Sequence, residues 1–427
     1  MRRKIDSGEQ HAAVFVLGTH YNGLAVIRAY GRAGIPVVAV DTHRSVGTYS
    51  RYAKYLCSPD PLVEEDKLVD CLIEQGKKHD KRPLLFPTND HWAMALSRHR
   101  SELTEWFAVM TPPWERLRLV VDKAAFYSWA SQEAFDVPRT YSWGVVKREE
   151  SHIRYPIVAK PAARRISSND PLQRSRAELY DSLRLTKLSS EADLSKYLRE
   201  HAGVDGIIFQ EEVPGPVSAM YTVGVYADQG SNILGLFSGR KVRGKNPVFG
   251  DCVVGQVEEV PRSVIDESCR LVDRLRYTGV AEIEYKRDAR NGRFRLIELN
   301  PRSWSWVGIT PYCGVNLPLI AYDDMVRNRK RRFVSRAPTG SVKWALLMED
   351  FRNCLLSYLG KGETGGKFPI REWATSLRGK IVAEDCSLSD PLPSLVSLYR
   401  IVKADIVTVG RKLGKTRPAR RRDGEKP

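Results

Sequence analysis

The chain has 427 residues, too many for one ordinary hydrophobic core, and its 42% hydrophobic and 28% charged residues suit a globular protein of two or three domains. It contains no apolar run of about 18 residues that could span a bilayer, and the basic start MRRKIDSGEQH lacks the apolar stretch of a secretory signal. Seven scattered cysteines without a CxxC pair read as buried thiols of a reducing compartment, so a cytoplasmic location is expected.

The formal net charge of +17 is uneven. Arg411 to Pro427 holds eight Lys/Arg against two acids, the composition of a basic disordered tail, and RNRKRR (Arg327 to Arg332) is a second basic run. These are either solvated charge or contacts to an acidic substrate, an anionic membrane surface or nucleic acid. The basic runs carry no interleaved aromatics and the chain no zinc-finger or RNP-like spacing, which argues against nucleic acid.

In chain order, AAVFVLG (Ala12 to Gly18) reads as a buried strand, YNGLAVIRAYGRAG as a helix and IPVVAVD as a second strand. RPLLFPTND is a further strand ending in a polar loop, and the alternation predicts a parallel sheet with helices on both faces. Gly18 and Gly23 suit either a tight turn or an anion at a helix N-terminus, but His20 interrupts a GxGxxG pattern. His20, Asn22, Asp41, Asn89 and Asp90 sit at strand ends, where such sheets bind small polar ligands.

A helix over Asp122 to Phe135 is followed by apolar runs at YPIVAKPA and GIIFQEEVPG. From Tyr221 to Asn300 the alternating runs read as antiparallel strands, and Asn291-Gly292 predicts a hairpin between AEIEY and FRLIELN. Period-two alternation puts Glu298 and Asn300 on one face, with Leu296 before them and Leu299 opposite, and the hairpin brings Glu284 alongside. These polar groups are either a solvent-facing strand surface or hard oxygen ligands for Mg²⁺, with Arg302 reaching the same anion. Trp304 and Trp306 read as packing residues.

These residues resemble the ATP-grasp superfamily, whose final strand of the form EINPR supplies metal ligands and an arginine; this chain reads ELNPR at Glu298 to Arg302. The resemblance runs over roughly residues 12 to 315. It implies an α/β architecture in which a Rossmann-like pre-ATP-grasp domain (1–115) precedes an ATP-grasp fold of two α+β subdomains (116–330). A helical C-terminal extension (331–410) and a basic disordered tail (411–427) would follow. By the same resemblance Lys123 and Lys160 contact the nucleotide phosphates, Glu211, Glu212 and Val213 of FQEEVPG bind adenine and ribose, and Glu284, Glu298 and Asn300 hold Mg²⁺. Within the superfamily the chain is similar to predicted carboxylate-amine ligases akin to D-aspartate ligases, on FSGRKVRGKNPVFGDCVVGQV and SLSDPLPSLVSLYRIV. Lys241 and Arg243 of the first stretch are then expected on phosphate or a substrate carboxylate, beside Arg302 at the reacting acyl group.

The implied function is an ATP-dependent carboxylate-amine ligase working through an acyl-phosphate with Mg-ATP, on a small carboxylate and amine, with a homodimer as the common assembly. A rival outcome passes the acyl group to a thiol. The chain departs from the family after Lys160, where PAARRISSNDPLQRSRAEL has no glycine and Arg164 and Arg165 stand in the phosphate-closing loop. An ATP-binding regulatory or membrane-associated protein without turnover is therefore the second class. Past residue 335, KWALLMEDFRNCLLSYLG reads as a helix with Trp344, Leu347, Met348, Phe351, Leu355 and Leu359 on one face. The basic, amphipathic LPSLVSLYRIVKADIVTVGRKLGK packs on the core or lies peripherally on the inner membrane surface near a lipid-linked substrate.

Overall fold

A computed structural model describes residues 11–148, 153–162, 185–202, 204, 206–245, 251–358 and 369–415, with side chains for these up to 403 except at 148. Arg164, Arg165 and the expected loop after Lys160 lie outside the described residues, as does most of the basic tail.

Strands β1 (Val14–Leu17), β2 (Val37–Asp41), β3 (Ala53–Cys57), β4 (Leu84–Pro87) and β5 (Ala108–Val109) form a parallel sheet in the order β3-β2-β1-β4-β5. Alternation along β1 sends Val14 and Val16 into one apolar layer with helix Tyr21–Arg32, and Phe15 and Leu17 into the other with helices Glu65–Gly76 and Asp90–Arg98. Burial on both faces is why β1 is apolar throughout. Gly18 turns the chain at a φ of +82°, and a Cβ on Gly23 would lie 2.2 Å from the Gly18 carbonyl oxygen, so this turn needs both glycines for its own geometry.

The second sheet is antiparallel, β6 (Thr140–Ser142), β7 (Ile157–Pro161), β8 (Thr186–Leu188) and β9 (Ile207–Glu211), in the order β6-β9-β7-β8. The third has eight strands: β10 (Met220–Ala227), β11 (Ile233–Gly244), β12 (Cys252–Val257), β13 (Gly279–Arg287), β14 (Phe294–Asn300), β15 (Phe333–Val334), β16 (Val342–Ala345) and β17 (Lys380–Ala383). Their order is β14-β13-β10-β11-β12-β16-β17, with β15 beside β11.

The structure departs from the sequence expectations at two places. Residues past 331 supply strands as well as helices: β16 pairs with β12 and β17 with β16, completing a sheet whose edge would otherwise be open. Trp344 therefore lies fully buried in β16, and helix Leu347–Tyr358 begins after it, with Phe351 and Leu355 exposed. The other departure is at Leu296. Glu284 pairs with Glu298 but Tyr285 pairs with Leu296, so a bulge at Ile297 breaks the alternation. Leu296 and Leu299 consequently enter the same core with Tyr285, while Glu298 and Asn300 face the other way.

Trp304 and Trp306 are buried, as packing residues should be. They fill space left by sheet glycines: a Cβ on Gly224 would lie 2.2 Å from Trp304, and on Gly255 2.6 Å from Trp306.

Candidate active site

The face of β13 and β14 away from that core is polar although largely buried. Cross-strand pairing sets Glu284 opposite Glu298 and Glu282 opposite Asn300, and on the next strand Thr222 opposite Glu284. Asn300 Nδ2 and Thr222 Oγ1 each donate to Glu282 at 3.0 Å. Burial first, then the neighbouring Glu284 carboxylate, pushes Glu282 up to about 8.

Three lysines approach this surface. Lys241 Nζ from β11 lies 2.6 Å from Glu284, and Lys123, first residue of helix Lys123–Gln132, pairs with Glu298. Burial opposes the charge on Lys241, but Glu284 and Glu282 outweigh it and raise its pKa. Lys160 on β7 donates to Gln210 at 2.7 Å and to the Tyr127 hydroxyl at 3.1 Å. Tyr127, pushed up to about 12 by burial, donates in turn to the Ile297 carbonyl that the bulge leaves outside the ladder. Arg302 closes the end of β14, with Nε 3.0 Å from Asp90 and a guanidinium N–H donating to Asn300 Oδ1 at 3.1 Å.

The structure thus brings Lys123, Lys241, Glu284, Glu298, Asn300 and Arg302 together and ties Lys160 to them through Tyr127. The expected adenine and ribose residues sit nearby: Glu211 pairs at 2.9 Å with Arg290 of the β13–β14 hairpin, Glu212 pairs at 2.7 Å with Lys187, and Val213 is buried. Arg243, expected beside Lys241, is set apart. Register shifts in β11 after Lys241 turn it away, and its guanidinium makes two bonds to Asp350 at 2.8 and 2.6 Å.

Among the strand-end residues, Asp41 accepts from Thr19 N at 2.8 Å and Ser45 Oγ at 3.0 Å, which spends it on holding the first loop. Asn22 bonds Ser303 O at 2.9 Å and so braces the turn after Arg302, whereas Asn89 caps its own helix at Trp92 N. His20 is exposed beside Tyr21. Sequence reading missed Glu282, although AEIEY places it two residues before Glu284 and thus on the same face. Tyr127, Gln210 and Thr222 carry no comparable signal, because only tertiary packing brings them in.

Among the described residues no cluster of three His, Cys, Asp or Glu is arranged to hold a metal. The donors that converge are two carboxylates and an amide, hard oxygens of the kind Mg²⁺ takes alongside phosphate oxygens. Each carboxylate is ion-paired with a lysine, so a cation bound there would take the lysine's place at these oxygens.

A parallel sheet of order 3-2-1-4-5 followed by a four-stranded antiparallel sheet and a larger, mainly antiparallel one, with lysines and acids facing each other between them, is the ATP-grasp architecture. The chain therefore has the ATP-grasp fold. It is 24% identical over 321 residues, 71% of its length and 73% of the relative's, to D-aspartate ligase of Enterococcus faecium. Among solved structures, L-amino acid ligase from Bacillus licheniformis superposes with a TM-score of 0.55 over 75% of each chain at 16% identity. The biotin carboxylase domain of 2-oxoglutarate carboxylase from Hydrogenobacter thermophilus, in complex with MgADP, ADP and bicarbonate, gives 0.58 over 78% of this chain and 74% of that one at 16% identity. No protein-family model matches the chain.

Proposed function

We propose that the protein is an ATP-dependent ligase that joins a carboxylate to an amine through an acyl-phosphate, releasing ADP and phosphate. The observation that carries this reading is the Glu284–Glu298 pair, flanked by Lys241 and Lys123, on the sheet face of an ATP-grasp fold. Similarity to a D-aspartate ligase supports amide formation in particular.

A carboxylate is a poor acyl donor, and phosphoryl transfer from ATP makes it a good one. That step needs position and charge neutralisation more than covalent help. Mg²⁺, when bound, supplies neutralisation of the β- and γ-phosphate oxygens, and Glu284, Glu298 and Asn300 are the residues that would hold it. Lys123 and Lys241 would exchange a carboxylate partner for phosphate, and Lys160, held by Gln210 and Tyr127, would contribute a third positive charge. Arg302, fixed by Asp90, would stabilise charge on the acyl-phosphate as the amine displaces phosphate. Glu211, Glu212 and Val213 would receive the adenine and ribose. Arg243, committed to Asp350, would act on the position of β11.

Hydroxylamine trapping tests the reading. Wild-type protein with Mg-ATP is incubated with a panel of amino acids and small carboxylates headed by D-aspartate and L-aspartate. ADP release with a matching hydroxamate from one carboxylate, and an amide when an amine replaces hydroxylamine, is the expected result. ATP binding without ADP release across the panel would leave a nucleotide-binding protein without turnover; hydroxamate and a thioester but no amide would favour a thiol acceptor.

A further inference from the structure

Helix Pro391–Lys415 is amphipathic in the opposite sense to a surface helix. The side that meets the protein is built mainly of small side chains, with Pro393 buried, Ser394 at 9% exposure and Ser397 fully buried. Its large apolar residues face outward: Leu392 is 49% exposed, Leu395 62%, Leu398 48%, Tyr399 64% and Val402 47%. At about 100° per residue these five fall within one arc of about 120°. The spacing continues in the sequence through Ile406, Val409 and Leu413. Leu388, just before the helix, is 99% exposed. So much apolar surface on one helix face calls for a covering partner.

Charge selects the partner. From Arg400 to Pro427 the sequence has ten Lys/Arg against three acids. Laying this helix against a second copy would set two strongly positive segments side by side without the acidic flanks that pair coiled-coil helices. An anionic bilayer surface offers both an apolar layer for the stripe and phosphate charge for the cations. Among the described residues no helix is long and apolar enough to cross a membrane, so the geometry is of lying on one.

We propose that helix Pro391–Lys415 is a membrane-surface element that docks the protein on anionic phospholipid, with Leu392, Leu395, Leu398, Tyr399 and Val402 in the acyl boundary and Lys403 at the headgroups. This stands independently of the ligase reading. The helix packs on Val46–Tyr49 of the first sheet's loop region, so docking would hold that side of the protein against the surface.

Co-sedimentation of the full chain with phosphatidylcholine vesicles, and with vesicles containing about one third phosphatidylglycerol, tests it. Wild type is expected to pellet with the anionic vesicles only, less so in 1 M salt. Leu395→Glu/Tyr399→Glu should lower binding about tenfold or more with an unchanged melting temperature, since both side chains are exposed. Replacing Arg417, Arg420, Arg421 and Arg422 by Gln should weaken binding separately. Failure of wild type to bind, binding equal on neutral vesicles, or binding untouched by Leu395→Glu/Tyr399→Glu would overturn the proposal. A concentration-dependent dimer in equilibrium sedimentation, abolished by the same double variant in the absence of lipid, would overturn it in favour of a second copy.

Discussion

Lys241 and Lys123 stand on opposite sides of a carboxylate pair that would repel without them. Each lysine side chain is mostly enclosed, so removing one leaves an acid in a poorly solvated place. Lys241→Met should destabilise the fold by about 3 kcal/mol, read as a lower urea midpoint at constant slope. In the same variant ATP should bind more weakly, which separates a phosphate ligand from a merely structural cation. Packing is as exacting a few residues away. Gly255→Ala, which would put a methyl group 2.6 Å from buried Trp306, should cost about 1–3 kcal/mol in the same measurement. ELNPR and the Asn-Gly hairpin were legible because hairpin pairing is local. The side on which Leu296 falls was not, since a one-residue bulge leaves no mark in an apolar run; nor was the partner of Arg243, which is 107 residues further on.

At the scale of elements, helix Leu347–Tyr358 depends on a residue outside itself. Asp385 accepts from Leu347 N at 2.7 Å and Met348 N at 2.9 Å, satisfying N–H groups that a helix start leaves open. Asp385→Ala should cost about 1–2 kcal/mol. Burial nevertheless raises Asp385 to about 6, against the pull of those N–H donors. A carboxyl raised in the folded state keeps its proton after the unfolded chain has lost it. Its favourable contribution is therefore full below about 4 and is lost as pH rises through about 6. Thermal melts should show the stability advantage of wild type over Asp385→Asn shrinking between pH 4 and 7; an advantage that grows with pH would contradict the sign. The helix itself was visible in its periodicity, but its start was placed too early, because Trp344 suits a helix face and a buried strand equally well.

Across the whole molecule, the C-terminal extension is bound to the first sheet by buried charge. Arg28, in helix Tyr21–Arg32, pairs with Glu384 at 2.9 Å and Asp390 at 3.0 Å, and all three side chains are at most 4% exposed. Asp390 also accepts from Ser50 Oγ at 2.8 Å and Arg51 N at 3.0 Å. Arg28→Ala should cost about 3–5 kcal/mol by stranding two buried carboxylates, and scanning calorimetry is expected to show it in the transition that melts the first sheet. The layered α/β order was legible from strand-helix alternation, whereas this junction joins residues more than 350 positions apart and has no local signature.

On the function proposed above, the β13–β14 acids serve nucleotide-dependent ligation. The most direct measurement is the rate of ADP release from Mg-ATP with the carboxylate and amine that support turnover, compared between wild type and Glu298→Ala at matched folded concentration. In Glu298→Ala kcat should fall at least about a hundredfold, the scale of losing a group that stabilises transition-state charge. ADP release by Glu298→Ala equal to wild type, with the same substrates, would contradict it.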